Sequence, residues 1–484
     1  MIKRALKSMA YASSFLLLTA CTMAPHYERP RSPVAAIETA ALETTDAQTA
    51  LAADVGWRDF YRNQQLQTLI EESLVNNRDL RVATLTLEQV RAQYRIQRAQ
   101  LLPTLNANAG GTRQRIPEVL SETGESFISS QYSAGVGIAS YELDLFGRVQ
   151  SLKNRALEEY LATDEARKSA HLTLVAEVAD AYFSWVANTE LLTLSSNTLS
   201  ARQESYDMVQ RRFDSGLASE LDLSQAATAM HSARVDVALF ERQLSQSFTA
   251  LEVLVGKPLD SSRLQAVWSD EQMLAQLPDT LTSDVLLQRP DILQAEHRLK
   301  AANANIGAAR AAFFPRVSLT GSFGHASPEF DNLFDSGTRA WSFSPQVSLP
   351  IFAWGANAAN LDVANLQKDV NIAQYEKAIQ NAFKEVRDNL QAQSSLAVQL
   401  TAQADLVAAA QRSFTLAELR YEKGVDSYLD VLDSQRSLNA AQQSLINTRV
   451  LQLRNHLTLY KALGGGLLEV SAAADVQQVS GVLL

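Results

Sequence analysis

Arg420-Tyr421-Glu422-Lys423-Gly424-Val425-Asp426-Ser427-Tyr428-Leu429-Asp430-Val431-Leu432-Asp433 joins two long segments that contain neither glycine nor proline. The pattern predicts a tight reversal at Gly424 between two helices, because glycine accepts the positive φ that closes a helix C-terminus. A twin stands 208 residues earlier, in Arg212-Phe213-Asp214-Ser215-Gly216-Leu217, followed by Leu221 and Leu223.

The segments around both turns read as long helices. No glycine or proline occurs in 148–215, 217–255 or 356–423. At about 1.5 Å per residue, the first of these would run roughly 100 Å if continuously helical. After Gly216, Ala226, Met230, Ala233, Val237, Phe240, Leu244, Ser247, Leu251 and Leu254 recur in alternating steps of four and three. That is a coiled-coil seam. The equivalent positions after Gly424 include Ser434, Thr448, Gln452 and Asn455. This more polar seam predicts that one copy packs dry and the other partly faces water.

The whole plan repeats. Asp79 and Pro103 are matched by Asp291 and Pro315 at an offset of 212, and Gly147, Gly216 and Gly256 by Gly355, Gly424 and Gly464 at 208. From about Trp57 to Leu102 the spacing of Leu80, Ala83, Leu87, Val90 and Tyr94 predicts a helix stopped by Pro103. A period of two follows: Leu105, Ala107 and Ala109, then Tyr132, Ala134, Val136 and Ile138, alternate with small or polar residues. In the second copy Val317, Leu319 and Phe323, then Trp341, Phe343, Pro345, Val347 and Leu349, do the same. These are two strand hairpins. Pro345 cannot donate to a ladder, which predicts a bulge there.

Only 19 Gly and 12 Pro punctuate 484 residues that are 46% hydrophobic, so helices should dominate. Lys3, Arg4 and Lys7 precede a short apolar run at Phe15-Leu16-Leu17-Leu18, which reads as a secretory signal and is too short to span a bilayer. Leu18-Thr19-Ala20-Cys21 resembles a bacterial lipobox, and the resemblance implies cleavage before Cys21 and lipidation of its sulfur. The competing reading is a secreted protein with a free thiol. Cys21 is the only cysteine, so no disulfide can form within the chain. By resemblance to sorted lipoproteins, Thr22 after the cysteine favours the outer membrane. Loss of the signal takes the net charge from −10 to −13, which argues against nucleic acid as a partner.

The expected organisation is a signal at 1–20, a lipid-anchored tether at 21–53, a first repeat at 54–256, a connector at 257–285, a second repeat at 286–464 and a poorly ordered tail at 465–484. Four strands cannot close a barrel alone, and open edges are forbidden in a bilayer. Either several copies pool their hairpins, three giving about twelve strands, or the hairpins are soluble and pack on helices. The expected fold class is mainly α with membrane β: internally duplicated, very long coiled helices plus four strands in each copy of the chain.

Glu142-Leu143-Asp144-Leu145-Phe146-Gly147-Arg148, Arg289-Pro290-Asp291-Ile292, Ala311-Ala312-Phe313-Phe314-Pro315, Leu349-Pro350-Ile351-Phe352 and Tyr460-Lys461-Ala462-Leu463-Gly464-Gly465-Gly466 resemble the outer-membrane factors of Gram-negative tripartite efflux systems, in the lipid-anchored OprM-like branch of the TolC superfamily. The likeness runs over nearly the whole chain in order. It implies a homotrimer in the outer membrane, with the long helices in a trimeric α-barrel and four strands per protomer in a shared 12-stranded β-barrel, and as partners a periplasmic adaptor and an inner-membrane RND-type pump driven by protons. It places Gly216 and Gly424 at a periplasmic tip, with Arg212, Arg420 and Tyr421 in the family's tip pattern and in adaptor contact. It also makes Leu429, Asp430 and Asp433 a periplasmic gate.

Asp430 and Asp433 share a helix face; repeated by a threefold axis, they would form rings of like charge that bind cations. The first copy has Asp222 and Gln225 there, so the gate should be asymmetric between repeats. Asp426 stands where some relatives carry a basic residue that ties the closed tip. Taken alone, these residues are ordinary helix caps and a solvated face.

The six histidines show no metal-ligand spacing, and no phosphate loop or nucleophile elbow is present. No catalytic residue, cofactor or metal is expected. The leading function is a passive exit duct for drugs. The alternatives are a coiled-coil envelope scaffold and an outlet for metal ions or secreted proteins.

Overall fold

Side-chain caps, glycine stops and apolar alternation together set the elements of the chain. The computed structural model describes residues 22–34, 54–122, 124–262, 264–266, 273–275 and 286–471. In chain order these form α1 (Trp57–Phe60), α2 (Gln64–Asn76), α3 (Arg78–Ala99), β1 (Leu105–Ile116), β2 (Phe127–Leu143), α4 (Arg148–Asp214), α5 (Glu220–Val255), α6 (Pro290–Ala311), β3 (Arg316–Ser327), β4 (Arg339–Ser348), α7 (Ala356–Glu422) and α8 (Tyr428–Ala462). The order helix, hairpin, long helix, return helix occurs twice. α4 and α7 have 67 residues each, and α5 and α8 have 36 and 35.

The stretch expected as one helix from Trp57 to Leu102 is three. Asn63 Oδ1 accepts from Leu66 N at 2.9 Å and starts α2, and Asn77 Oδ1 accepts from Leu80 N at 2.9 Å and starts α3. Asparagine serves the free N–H groups of a new helix, so the backbone can break without leaving donors unpaired. The Asn77 amide also donates to Leu254 O at 2.9 Å, fixing the break against α5.

The chain divides into two compact units. The first takes Met1–Arg31, Thr86–Asp164 and Gln294–Glu376 and contains the sheet. Its strands are antiparallel in the order β1-β2-β3-β4, with the two hairpins joined through β2 and β3. The bulge expected at Pro345 is elsewhere. Leu319 pairs with Pro345 in unbroken register, while β2 shifts between Ile138 and Tyr141. β4 has a ladder on one side only, so alternate N–H groups are spare and a proline fits. In β2 the apolar positions change from even numbers, through Ile138, to odd numbers, at Tyr141 and Leu143. One extra residue keeps both sets on the same face.

Residues 22–31 belong to this unit, form no helix or strand, and are fastened along α6. The Asn303 amide donates to Pro25 O at 2.8 Å, Arg310 Nη1 donates to Met23 O at 3.3 Å, and Arg29 forks onto Glu296 at 2.6 and 3.2 Å. Gly307 permits this approach: a Cβ there would lie 2.5 Å from Ser151 Oγ and 2.7 Å from Ala24 N.

The second unit takes Ser32–Leu85, Glu165–Leu293 and Lys377–Leu484. Its core gathers Trp57, Phe60, Leu66 and Ile70 with Val178, Tyr182 and Phe183, Leu251, and Leu457 and Tyr460. The Phe60 and Tyr460 rings stack at 3.8 Å. Each such side chain contributes about 1.5–3 kcal/mol on burial. In the first-repeat seam Ala226, Met230, Ala233, Phe240 and Leu251 are buried.

The second-repeat seam is only in part open to water: Ser434 and Gln452 are half-buried, but Thr448 and Asn455 are buried, with Thr448 Oγ1 donating to Ser444 O at 2.8 Å and the Asn455 amide to Asn389 O at 3.1 Å. A backbone acceptor one turn back on α8 and another on α7 replace the water these groups would need. The tail is also more ordered than expected as far as Ser471. Trp57 N and Arg58 N donate to Leu468 O and Glu469 O at 2.9 and 3.1 Å, and Asp59 accepts from Ser471 N at 2.7 Å. Residues 472–484 lie outside the described ones.

Candidate functional site

The two turns are built alike. Gly216 and Gly424 both have φ 72°, in the left-handed region. Leu217 N donates to Arg212 O at 2.7 Å and Gly216 N to Phe213 O at 2.8 Å; in the second repeat Val425 N donates to Arg420 O and Gly424 N to Tyr421 O, both at 2.9 Å. These crossed bonds satisfy the last carbonyls of α4 and α7. The next helices then start on serine. Ser219 Oγ donates to Asp222 Oδ2 at 2.7 Å, and Ser427 Oγ to Asp430 Oδ2 at 2.7 Å.

This separates the residues predicted as a gate. Asp430 caps α8 and matches Asp222 in both identity and bonding, whereas Asp433 is exposed and has Gln225 as its counterpart. Leu429 and Leu221 are 56% and 66% exposed, too open for core residues at helix starts. The acidic asymmetry between the repeats therefore rests on Asp433.

The other predicted residues divide between ties and core. Arg212 Nη1 donates to Tyr421 Oη at 2.7 Å, with its guanidinium carbon 5.3 Å from the ring centre, so the first turn is linked to the second. Arg420 forks onto Asp426 at 2.5 and 2.8 Å. Those hydrogen bonds hold the Asp426 carboxyl below its usual range. The Arg420–Asp426 pair thus ties the second turn to itself. Beneath, Val209, Ala226, Val431 and Leu432 pack with Tyr428, whose hydroxyl donates to Ser205 Oγ at 3.3 Å.

Sequence reasoning missed a groove of about 570 Å³ beside the turns. Arg202, Leu221, Asp236, Leu429, Leu432 and Arg436 are among its lining residues. Arg202 is buried and gives Nη1 to Ala229 O at 2.9 Å, and burial lowers its guanidinium pKa. Nothing local in the sequence marks Arg202, since its partner is 27 residues away on another helix.

In the first unit the register sorts the strands into two faces. Leu105, Ala107 and Ala109 align with Ile138, Val136 and Ala134, then with Gly321, Phe323 and His325, and these with Phe343, Trp341 and Arg339. The opposite face carries Asn106, Asn108, Ser133, Thr320, Ser322, Ser342 and Ser344, and the Ser322 and Ser342 hydroxyls meet at 2.7 Å. Trp341, Phe343 and Val347 are 60–76% exposed, so none of the described residues covers the apolar face at these positions.

Thr22 and Met23 share a surface groove with Phe313 and Phe314, next to the start of β3. Cys21 lies outside the described residues. None of the described helices is long and apolar enough to cross a membrane.

A sheet that is apolar on one face, polar on the other and open at both edges, in a chain of long paired helices, defines a subunit of an oligomeric membrane channel. The outer membrane efflux protein family profile matches residues 69–257 and 281–465. Two proteins of Pseudomonas putida, the antibiotic efflux pump outer membrane protein ArpC and the toluene efflux pump outer membrane protein TtgC, are each 49% identical over 471 residues, covering 97% of this chain and 97% of theirs. Among solved structures, the open state of the Neisseria gonorrhoeae MtrE outer membrane channel superposes with a TM-score of 0.82 at 42% identity, over 93% of this chain and all of that one. The chain belongs to the outer membrane efflux protein family. Its place is the outer membrane, as the exit channel of an efflux system.

Proposed function

We propose that three copies join edge to edge through β1 and β4 into a closed barrel of about twelve strands, with their helices forming the periplasmic conduit. The observation that carries this is the bare apolar face of a sheet with two unpaired edges. Within a bilayer such edges have to pair, and another copy of the same chain supplies the matching strands. The polar face, rich in Ser, Thr and Asn, then lines the water-filled passage.

The twin turns are the gate and docking end. Leu429 and Asp433 narrow the opening, Asp430 holds the helix start that presents them, and Arg212, Tyr421, Gly216, Arg420 and Gly424 fix the surface that a periplasmic adaptor meets. An inner-membrane RND-type pump supplies the energy, and the duct conducts passively. Lipidation of Cys21 fits the position of Thr22 beside exposed aromatic residues, which favour a membrane–water boundary. The relatives named for antibiotic and toluene efflux support a cargo of apolar drugs and solvents.

Single-channel recording from purified trimer in planar bilayers tests the channel. A current that Asp433→Ala increases supports the gate; no current from either protein points to an envelope scaffold instead. Susceptibility of a deletion strain to antibiotics, metal ions and organic solvents identifies the cargo.

A further inference from the structure

The outward face of the sheet, the one carrying Val136, Phe323 and Trp341, holds charged side chains at one end only. On β2 the outward row runs through Tyr132, Ala134, Val136, Ile138, Tyr141 and Leu143. At about 3.3 Å per residue and a tilt near 40°, it covers about 25 Å, the height of an outer-membrane apolar band.

Two residues beyond Gly111, the partner of Tyr132, β1 presents Arg113 and then Arg115 on the same face. β4 begins on that face with Arg339, paired with His325. All three arginines are exposed. None of the outward positions on the four described strands is Asp or Glu. The strand carboxylate Glu142 faces the other way, on the row with Ser318.

An arginine facing lipid is costly at mid-bilayer and nearly free of cost at the interface, so these side chains mark the headgroup boundary. They sit at the loop end of the strands, away from the helices that flank the hairpins. β1 and β4 are the free edges, and joining copies sets Arg339 of one on the strand next to Arg113 and Arg115 of another. A guanidinium forks onto phosphate oxygens in a way that ammonium cannot.

We propose that Arg113, Arg115 and Arg339 form a binding site on the barrel exterior for the phosphorylated headgroup of an outer-leaflet lipid. The inference rests on the proposed closed barrel with this face towards lipid. The acyl chains lie along Trp341 and Phe323, and the phosphates meet the arginines.

The probe is diphosphoryl lipid A, added to full-length trimer in detergent and read by native mass spectrometry and by the salt dependence of binding. The variant combines Arg113→Gln, Arg115→Gln and Arg339→Gln. Expected are at least a tenfold loss of diphosphoryl lipid A binding in the variant, weaker wild-type binding to dephosphorylated lipid A, and affinity that falls with salt. Equal binding by wild type and variant, or equal binding of phosphorylated and dephosphorylated lipid, overturns the site. Trimer mass and single-channel conductance are recorded in parallel. A variant that conducts normally but loses the lipid supports the site; a wild type that neither trimerises nor conducts refutes the barrel itself.

Discussion

Replacing Arg29 with Gln tests whether the N-terminal strap is held by one buried carboxylate. The Glu296 side chain is 3% exposed, and it accepts from Arg29 Nη2 at 2.6 Å, Arg29 Nε at 3.2 Å, Tyr27 Oη at 3.2 Å and Lys300 Nζ at 3.0 Å. Removing one partner of a buried ion pair costs about 3–5 kcal/mol. Arg29 is half exposed and Lys300 remains, so the expected loss is about 2 kcal/mol per protomer.

Burial pushes the Glu296 carboxyl up, but the hydrogen bonds from Arg29 and Lys300 outweigh it and hold the group below the usual glutamate range. The native state therefore binds this proton more weakly than the unfolded chain. Its stabilisation is complete above about pH 4.5 and is lost as pH falls through the lowered native value. Arg29→Gln should flatten that loss as well as lower the stability at neutral pH. Thermal unfolding of the trimer from about pH 7 to about pH 3, with hydrogen exchange at residues 22–31, measures both. Unchanged melting with unchanged exchange would refute the clamp, and so would an acid limb of undiminished steepness.

Three further outcomes follow from the geometry. Arg289→Met removes a buried guanidinium that donates to Asp291, Glu385 and Ala462 O at 2.7–3.0 Å; it should cost about 2–4 kcal/mol, with Arg289→Lys recovering only part, as read by heat-dependent loss of trimer. Gly424→Ala forces an L side chain to φ 72° and should cost about 1 kcal/mol in thermal unfolding, while Gly424→Asn should cost less. Asp433→Ala should raise conductance at unchanged stability, whereas Asp430→Ala should lose about 1 kcal/mol of helix capping; the reverse assignment in paired conductance and melting experiments would exchange their roles.

Glycine placement made the long helices legible. With no left-handed residue between Arg148 and Ser215, the chain had no inexpensive place to turn, and the helix indeed runs to Asp214. The strands were legible because lipid and water select opposite faces. Position along a strand was harder: Pro345 drew attention as the chemical oddity, while the actual bulge was encoded in the change of apolar parity from Ile138 to Tyr141. The role of Asp430 was also written locally, since Ser427-x-x-Asp430 has capping-box spacing. The Glu296 clamp was not, because Arg29 is 267 residues away and neither residue carries a local sign of the other. The same holds for Asp59, whose partner Ser471 lies in the segment expected to be loose.

The bulge in β2 also governs how this gene can change length. Every residue of β2 before it faces lipid or water by one parity, and every residue after it by the other. A single-codon deletion between Ile138 and Tyr141 would remove the extra residue and restore plain alternation, with Tyr141 and Leu143 still facing lipid, whereas loss of both Ala139 and Ser140 would turn Tyr141 and Leu143 towards the lumen and Glu142 towards hydrocarbon. The strand can thus lose one residue there without exchanging its lipid and lumen faces but not two, and the extra residue is a unit of slack in the membrane wall.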